Sequence, residues 1–437
     1  MLKNANRLLV NAGLASVAMI AVGAGASASQ AQSVSSAQAG STDLFARDRA
    51  VGVRDRPRPD YEASGVRSGG FLIYPKIQAD FEYVDNVLAT ENNPQDDYLV
   101  RLRPEISAES DWSRHSLTGY ARATLTKNTD FDTEDSTEWT VGGNGRLDVV
   151  RGTSLEAGAD YSDLVEPRTS SNTALAAVDP IEFSVGQAYV AGAHVVGRVK
   201  LAARADFRRF DYNDGRTAGG AVIEQDDRDR DASSLIGRVD YALSPATAVF
   251  AQVTANERSY NHTPVGAAAR DSTGYEALTG INFELGSVSR GEVAVGYISQ
   301  SFDNAAYGDL DGFGARAQLE YFPTELTTIK ASAARTIDDA GVLGSAGYLR
   351  SEVAISLDHE LLRNFILSGR VGYSDDDFNG VDRSDKRWTG SVGGTYLISR
   401  TFGLSTSVNY IDQSSEGAVR GPNYSVTRVT VSVVSQF

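Results

Sequence analysis

The residues of this sequence that could do chemistry are few and scattered. There are four histidines, His115, His194, His262 and His359, and no cysteine. A hydrolytic site needs a histidine poised between a nucleophile and an orienting carboxylate. No such cluster is visible, and no Gly-x-Ser-x-Gly elbow occurs. The expectation is a protein that is not an enzyme, with no catalytic residues and no cofactor. Acidic runs are the next candidates: Asp226-Asp227-Arg228-Asp229-Arg230-Asp231, Asp375-Asp376-Asp377 and Asp309-Leu310-Asp311-Gly312. Hard divalent cations want several carboxylate or carbonyl oxygens. None of these runs has the full spacing of a calcium loop, and interleaved arginines would repel a cation. They read as solvated loop charge, with no metal assigned. A third set is Lys200, Arg204, Asp206, Arg208, Arg316, Glu320, Lys330 and Arg370. These charges alternate with apolar residues. They could line a path for anionic or sugar-like cargo, or satisfy one another across a plugged lumen.

The elements that must position these charges are strands. In 198–212, Val199, Leu201, Ala203, Ala205 and Phe207 oppose Lys200, Arg204, Asp206 and Arg208. Period-two alternation makes one face apolar and the other polar. The same pattern recurs in Leu155, Ala157, Ala159 and Tyr161 against Glu156, Gly158 and Asp160, and in Phe402, Leu404, Val408 and Tyr410 against Ser405, Ser407 and Asn409. Alternation alone also suits a soluble sandwich. Length separates the two, because these runs have about 12 to 15 residues, against about 5 or 6 for a soluble strand and 9 to 11 for a membrane crossing. Eighteen such strands fit between 71–83 and 422–437. Eight of the connections are short, such as Arg151-Gly152, Gly197 and Ser399-Arg400, and the other nine are generally longer, such as 84–97, 166–182, 213–231 and 261–272. Short turns on one side and longer loops on the other define an outer-membrane barrel, with the short turns periplasmic. The fold class is therefore all-β: a transmembrane antiparallel up-and-down β-barrel of about 18 strands over 70–437.

Composition agrees. The chain has 437 residues, 42 Gly, 19 Tyr, no Cys and a net charge of −16. The charge argues against a nucleic-acid partner, since phosphate contacts need basic patches. The absence of cysteine excludes disulfides and lipid acylation of a thiol. A barrel shows only alternate residues to lipid, so mildly polar mean hydropathy does not argue against a membrane. Trp112, Trp139 and Trp388, with the tyrosines, suit the membrane interfaces; a sugar-stacking track is the other reading. At the amino terminus, Lys3 and Arg7 precede an apolar run from Leu14 to Ala28 that closes on Ala26-Ser27-Ala28. That reads as a signal peptide over 1–28, a membrane anchor being the alternative. Residues 29–69 read as a flexible or extended periplasmic segment, with Pro57 and Pro59 in it.

Where the barrel begins, one family comes into view. Arg56-Pro57-Arg58-Pro59-Asp60-Tyr61, Gly70-Phe71-Leu72-Ile73-Tyr74-Pro75, Asp85-Asn86-Val87, Pro104 and Asp111-Trp112-Ser113-Arg114-His115 follow one another. In these motifs the sequence resembles the outer-membrane β-barrel proteins of the beta-barrel porin 2 type. The resemblance implies an outer-membrane barrel of about eighteen strands without catalytic residues. Members often accompany exopolysaccharide or capsule secretion, where they are thought to give the outer-membrane pore for a polysaccharide export protein that lacks its own.

Three functions stay open at this stage: a conduit for polysaccharide export, a general or solute-selective diffusion porin, and a non-transporting scaffold or adhesin. The partners expected are outer-membrane lipids and lipopolysaccharide, the barrel-insertion machinery, a periplasmic polysaccharide export protein and polysaccharide cargo. The final strand carries Val429, Val431 and Val433 on one face and ends at Phe437. It resembles the signal read by the insertion machinery, with Ser435 where a large apolar residue is more usual. It should pair with 71–83 on one side and 401–413 on the other.

Overall fold

Alternation over long runs leaves one apolar face per strand, and eighteen such strands can bury their edges only by closing on themselves. The computed structural model describes residues 50–174 and 176–437. The strands are β1 Phe71–Val84, β2 Asp97–Ser110, β3 Ser116–Asn128, β4 Ser136–Val150, β5 Thr153–Val165 and β6 Glu182–Val196. Next come β7 Val199–Tyr212, β8 Arg230–Ser244, β9 Thr247–Tyr260, β10 Ser272–Leu285, β11 Ser289–Phe302 and β12 Leu310–Thr324. The last six are β13 Thr327–Asp339, β14 Gly347–Leu362, β15 Phe365–Phe378, β16 Ser384–Leu397, β17 Phe402–Glu416 and β18 Tyr424–Gln436. Each pairs antiparallel with its neighbours in sequence, and β18 pairs with β1 to close the ring.

The closure follows the side-chain pattern. Val429, Val431 and Val433 lie opposite Tyr83, Phe81 and Ala79 of β1, and Val433 and Val431 lie opposite Leu404 and Thr406 of β17. Val431 is 42% exposed on the outer face, while its neighbour Ser432 is 5% exposed on the inner one. The Phe437 N–H donates to Pro75 O at 3.1 Å. Pro75, which has no donor, thus sits where β18 ends and needs none. Aromatic residues gather on the outer face towards the long-loop rim, as Tyr83–Tyr98, Trp139–Tyr161, Tyr275–Tyr297 and Tyr373–Trp388. Trp112 packs edge-on against Phe71 at the other rim. Amphipathic rings of this kind mark the two levels of a membrane interface.

The signal-peptide reading over 1–28 and the first part of the following segment lie outside the described residues. The described part of the segment begins at Ala50. It folds through turns, returns in a three-residue strand Val66–Ser68 and pairs with the start of β1 across Gly69 and Gly70. Gly69 has φ +60°, the left-handed backbone that such a tight hairpin turn requires.

Candidate functional site: a lumen closed at both rims

A ring of eighteen strands is wide enough for an aqueous channel. What occupies that channel is this chain itself, at both ends.

At the short-turn rim a strap of residues 50–65 lies inside the wall. Three arginines at alternate positions hold it. Arg54 donates to Asp358 at 2.7 Å and to Ser368 at 2.5 Å. Arg56 reaches Glu360 at 3.3 Å and the carbonyl of Glu325. Arg58, 1% exposed, donates to Glu360 at 2.7 Å, to Val53 O at 2.8 Å and to Arg363 O at 3.2 Å. Val53 is fully buried, and its N–H donates to the Thr328 hydroxyl at 2.8 Å. Tyr61 O accepts from Gln436 on β18. The strap therefore runs along the inner wall from β18 to β13.

At the long-loop rim the closure is built from two inserts. One is the 166–181 loop between β5 and β6, which crosses to the opposite wall. Its Thr169 O accepts from Tyr424 Oη at 2.8 Å. Ser171 donates to Asp376 and accepts from Arg387 and, at its carbonyl, from Arg383. Asn172 bonds Asp339 O and the Gly341 N–H. At its near end, Glu166 is gripped by Arg228, which also lies 4.1 Å from the Tyr212 ring centroid. The other insert is the top of the β13–β14 hairpin, which leaves the wall and bends inward. Asp339 is held by Arg258 at 2.7 Å and by Arg230 at 2.9 Å, residues of β9 and β8, with three strands of wall between. Arg270 donates to Ala340 O at 2.8 Å. Arg350 bridges Asp338 and Asp376. A small apolar cluster, Ala340, Tyr348 and Phe378, fills the space beneath.

These pairs correct the reading of two of the acidic runs, 226–231 and 375–377, as solvated, while Asp309 and Asp311 of the third are exposed. Arg228, Arg230 and Asp376 are buried, and Asp227 pairs with Arg270. Burial raises the Asp229 carboxyl above its usual range against the hydrogen bond from the Tyr212 N–H. Among the described residues no group of three His, Asp or Glu side chains converges to hold a metal.

Between the closures lies a polar chamber. Arg122, Ser332, Glu352 and Arg370 point inward yet are exposed, so there is room for solvent around them. Of the other inward charges named from the sequence, Arg204 pairs with Asp206 at 2.7 Å and Arg316 with Glu276 at 3.3 Å. Glu320 is shared by Arg290 at 2.7 Å and Lys330 at 3.1 Å, and Lys330 also faces Asp55 of the strap at 3.8 Å. Lys200 is buried at the level of Asp240, while Arg208 lies beside Gln187 and Ala232. Sequence inspection missed an aromatic wall in this chamber. Tyr120 lies flat over Gly142 and Tyr189 over Gly158, so close that an added Cβ would sit 2.9 and 2.6 Å from the rings. The Arg204 guanidinium covers the Tyr189 ring at 3.9 Å. The signal was available as inward glycines directly opposite inward tyrosines, once the register was known. The four histidines remain apart: His194 meets Thr153, His359 meets Thr327, and His115 accepts from the Asp148 N–H.

Several solved structures are similar in fold. The outer membrane protein OpdK from Pseudomonas aeruginosa is 11% identical, over 84% of this chain and 99% of that one, with a TM-score of 0.43. The siderophore receptor PirA from Acinetobacter baumannii is 7% identical, over 84% and 80%, with a TM-score of 0.45. A mutant of the ferric enterobactin receptor PfeA from Pseudomonas aeruginosa is 10% identical, over 84% and 80%, with a TM-score of 0.43. No curated protein matches the sequence. The family described as "Putative beta-barrel porin 2" matches residues 58–437, which takes in the strap from Arg58 onward and all eighteen strands. The chain belongs to the beta-barrel porin 2 family of outer-membrane barrels.

Proposed function

We propose that this barrel is the outer-membrane conduit of an exopolysaccharide or capsule export system, closed at rest and opened by a periplasmic partner. The observation that carries the reading is the pair of closures around a hydrated chamber. An open diffusion porin has no use for a strap and a plug made of its own chain. A partner-gated conduit needs a resting seal so that the envelope does not leak. The strap lies at the short-turn, periplasmic rim, where an export protein could displace it. The chamber offers what a hydrated polymer needs, with separated charges, amide and hydroxyl groups and two flat tyrosines.

A second reading, an envelope scaffold, is favoured by the same filled rims, while the exposed inward charges of the chamber favour transport. Two measurements separate the readings. A strain lacking the gene should lose secreted or surface polysaccharide; unchanged polymer would remove the export reading. The purified barrel in a planar bilayer should show low conductance at rest, and conductance should rise when strap and plug are both disabled. A large open conductance in the intact protein would mean a diffusion porin.

A further inference from the structure

The strap does not line the whole periplasmic mouth. The wall partners described above lie on β13, β14, β15 and β18. On another arc, at the feet of β3 to β6, the mouth keeps a niche of about 320 Å³. Arg146, Asp148, Ser154 and Ala193 line it, and they share the inward register of Gly142, Gly158 and Tyr189. The niche therefore opens on the axial path and not on lipid. Arg114 and Arg151, from the turns that lead into β3 and out of β4, complete it.

Three guanidinium groups and one carboxylate share this space. Arg146 is compensated, by Asp148 at 3.0 Å and by Glu156 at 2.8 Å. Arg114 is not: it donates to the carbonyl oxygens of Asp148 at 3.1 Å and Val149 at 2.6 Å, which are neutral acceptors. Arg151 is exposed and has no hydrogen-bond or ion-pair partner among the described residues. Inward arginines elsewhere in the wall are neutralised, Arg204 by Asp206, Arg238 by Asp240 and Glu292, and Arg316 by Glu276. Surplus positive charge at one side of the mouth is thus a local feature, and a concave wall focuses its field.

Above the niche the same wall stays polar and open. Along β4, Asn144 comes next, then Gly142 with the Tyr120 ring on it, then Thr140 with Arg122 opposite. Arg204 covers the Tyr189 ring, but no guanidinium covers Tyr120, since Arg122 stands 5.9 Å from its centroid. Arg122 is exposed, and the carboxylates around it are engaged elsewhere. Glu105, directly across on β2, is taken by Lys76 at 3.3 Å. Asp160, beside Gly142, accepts from Gln187 at 2.6 Å, and Glu138, one step higher than Arg122, accepts from the Val165 N–H at 3.2 Å. From the level of Arg146 to that of Arg122, which faces Thr140, is about 20 Å along the strand.

Two guanidinium groups at the mouth, a flat ring and a further guanidinium match a chain of sugars that carries carboxylates at intervals. Planar guanidinium groups bind carboxylates bidentately, and an aromatic face suits the apolar C–H face of a sugar ring. A neutral polymer would use the ring and leave the guanidinium groups to water. Resting on the reading of the barrel as a polysaccharide conduit, we propose that the β3–β4 wall is the entry track for an acidic polysaccharide: Arg114 and Arg151 receive its carboxylates in the niche, Tyr120 lies under the sugar that follows, and Arg122 receives the next carboxylate.

The strap lies on other strands, so the niche can be probed in the intact barrel. Equilibrium dialysis of the full chain in phosphatidylcholine nanodiscs, with end-labelled tetragalacturonate, tests the track. Tetragalacturonate should bind, and the neutral tetramer maltotetraose should bind at least roughly tenfold more weakly. R151Q should weaken tetragalacturonate roughly tenfold, the size of one charge-assisted contact, R122Q should do the same, and R151K should restore most of what R151Q loses. K386Q, which removes a cation paired with Glu416 on the outer face, should leave the affinity as it is. Equal binding of the two tetramers, no binding of tetragalacturonate, or binding indifferent to R151Q overturns the track. Tetragalacturonate should still bind in phosphatidylglycerol nanodiscs; loss of binding there would assign the arginines of the mouth to lipid headgroups and also overturn it. The polymer itself separates this inference from the conduit reading. A deletion strain that loses a polymer without acid groups, by titration of the purified material, would keep the conduit and remove the acidic cargo. Unchanged polymer in that strain, beside tetragalacturonate binding that R151Q weakens, would remove the conduit and keep the carboxylate site.

Discussion

The two closures use the same chemistry, arginine on carboxylate, yet differ in how the pairs are connected. The strap is held by Arg54, Arg56 and Arg58 on two carboxylates, Asp358 and Glu360, both on β14. Everything it grips lies on one side of the barrel, and Arg54 and Arg56 remain partly exposed. The plug instead ties opposite walls together. Asp339 joins β8, β9 and β13, Asp376 joins β14, β15 and the 166–181 loop, and Asn172 joins that loop to the inward hairpin. A segment bound along one wall can peel away without disturbing the ring. A network whose members each serve two or three elements fails or holds as a unit. The strap is thus suited to be displaced, and the plug to stay until the wall itself rearranges.

The largest expected effect comes from breaking the centre of the plug. Asp339→Asn keeps the shape but leaves Arg230 and Arg258, with side chains 4% and 3% exposed, without their countercharge. Removing one partner of a buried pair costs about 3–5 kcal/mol. Urea unfolding in lipid vesicles should show a loss of that order, with raised hydrogen exchange in 166–181 and 340–346. An unchanged midpoint would mean that the plug adds nothing to the ring and that the contrast with the strap is false.

Glu360→Gln tests the other half. It removes the carboxylate shared by Arg56 and Arg58, a loss of about 2–3 kcal/mol in strap docking for hydrogen bonds to a charged group. Protease should then cut within 50–62 in the folded barrel, while the unfolding midpoint stays near that of the unmodified protein. Conductance should stay low, because the plug still seals the other rim. If this single change opened the pore, the plug would not be a seal.

How far these features were legible depends on their range in sequence. The strands were readable because alternation is local: the expected ends 401 and 413 of the penultimate strand became Phe402 and Glu416, and 71–83 became Phe71–Val84. The seam of β18 with β1 was readable because a ring leaves its last strand no other partner. The closures were not. Arg54 meets Asp358 across a separation of 304 residues, and Arg383 meets Ser171 across 212. No period or motif marks such pairs. Arg228 and Arg230 were seen but assigned to water, because a charged run beside a glycine-rich loop gives no sign that the loop will fold inward. Lys330 was named from its strand position, yet its approach to Asp55 depends on a strap that composition alone marks as unstructured.

A smaller effect is expected in the chamber that the two closures bound. Gly142→Ala places a methyl group within 2.9 Å of Tyr120 and 2.5 Å of Asp160 Cβ. Overpacking of this kind costs about 1–3 kcal/mol, and the Tyr120 ring should swing into the lumen. Tyrosine fluorescence and single-channel conductance of a strap-and-plug variant would both register it. Unchanged conductance would place the ring away from the permeation path.

The smallest effect lies outside both closures and calibrates them. Glu91 in the 85–96 loop accepts from Arg420 at 2.9 Å and from the Asn423 N–H at 3.4 Å, which ties the first long loop to the last across the β1–β18 seam. The hydrogen bond from Arg420, then that from Asn423, holds its carboxyl below the usual value of 4.5. A carboxyl lowered by folding stabilises the tie above its unfolded value, and that contribution is lost as pH falls through the lowered one. The pair is exposed, so solvent screens it and the change is confined to the two loops. Amide exchange in 417–423 should rise as pH drops below 4.5, and Glu91→Gln should remove the pH dependence. At neutral pH the strap should remain protected in that variant, because its docking runs through Asp358 and Glu360 and not through Glu91. If the strap were released in step with the 417–423 loop, the two rims would be coupled through the β1–β18 seam, and the picture of independent closures would have to be replaced by one of a single concerted gate.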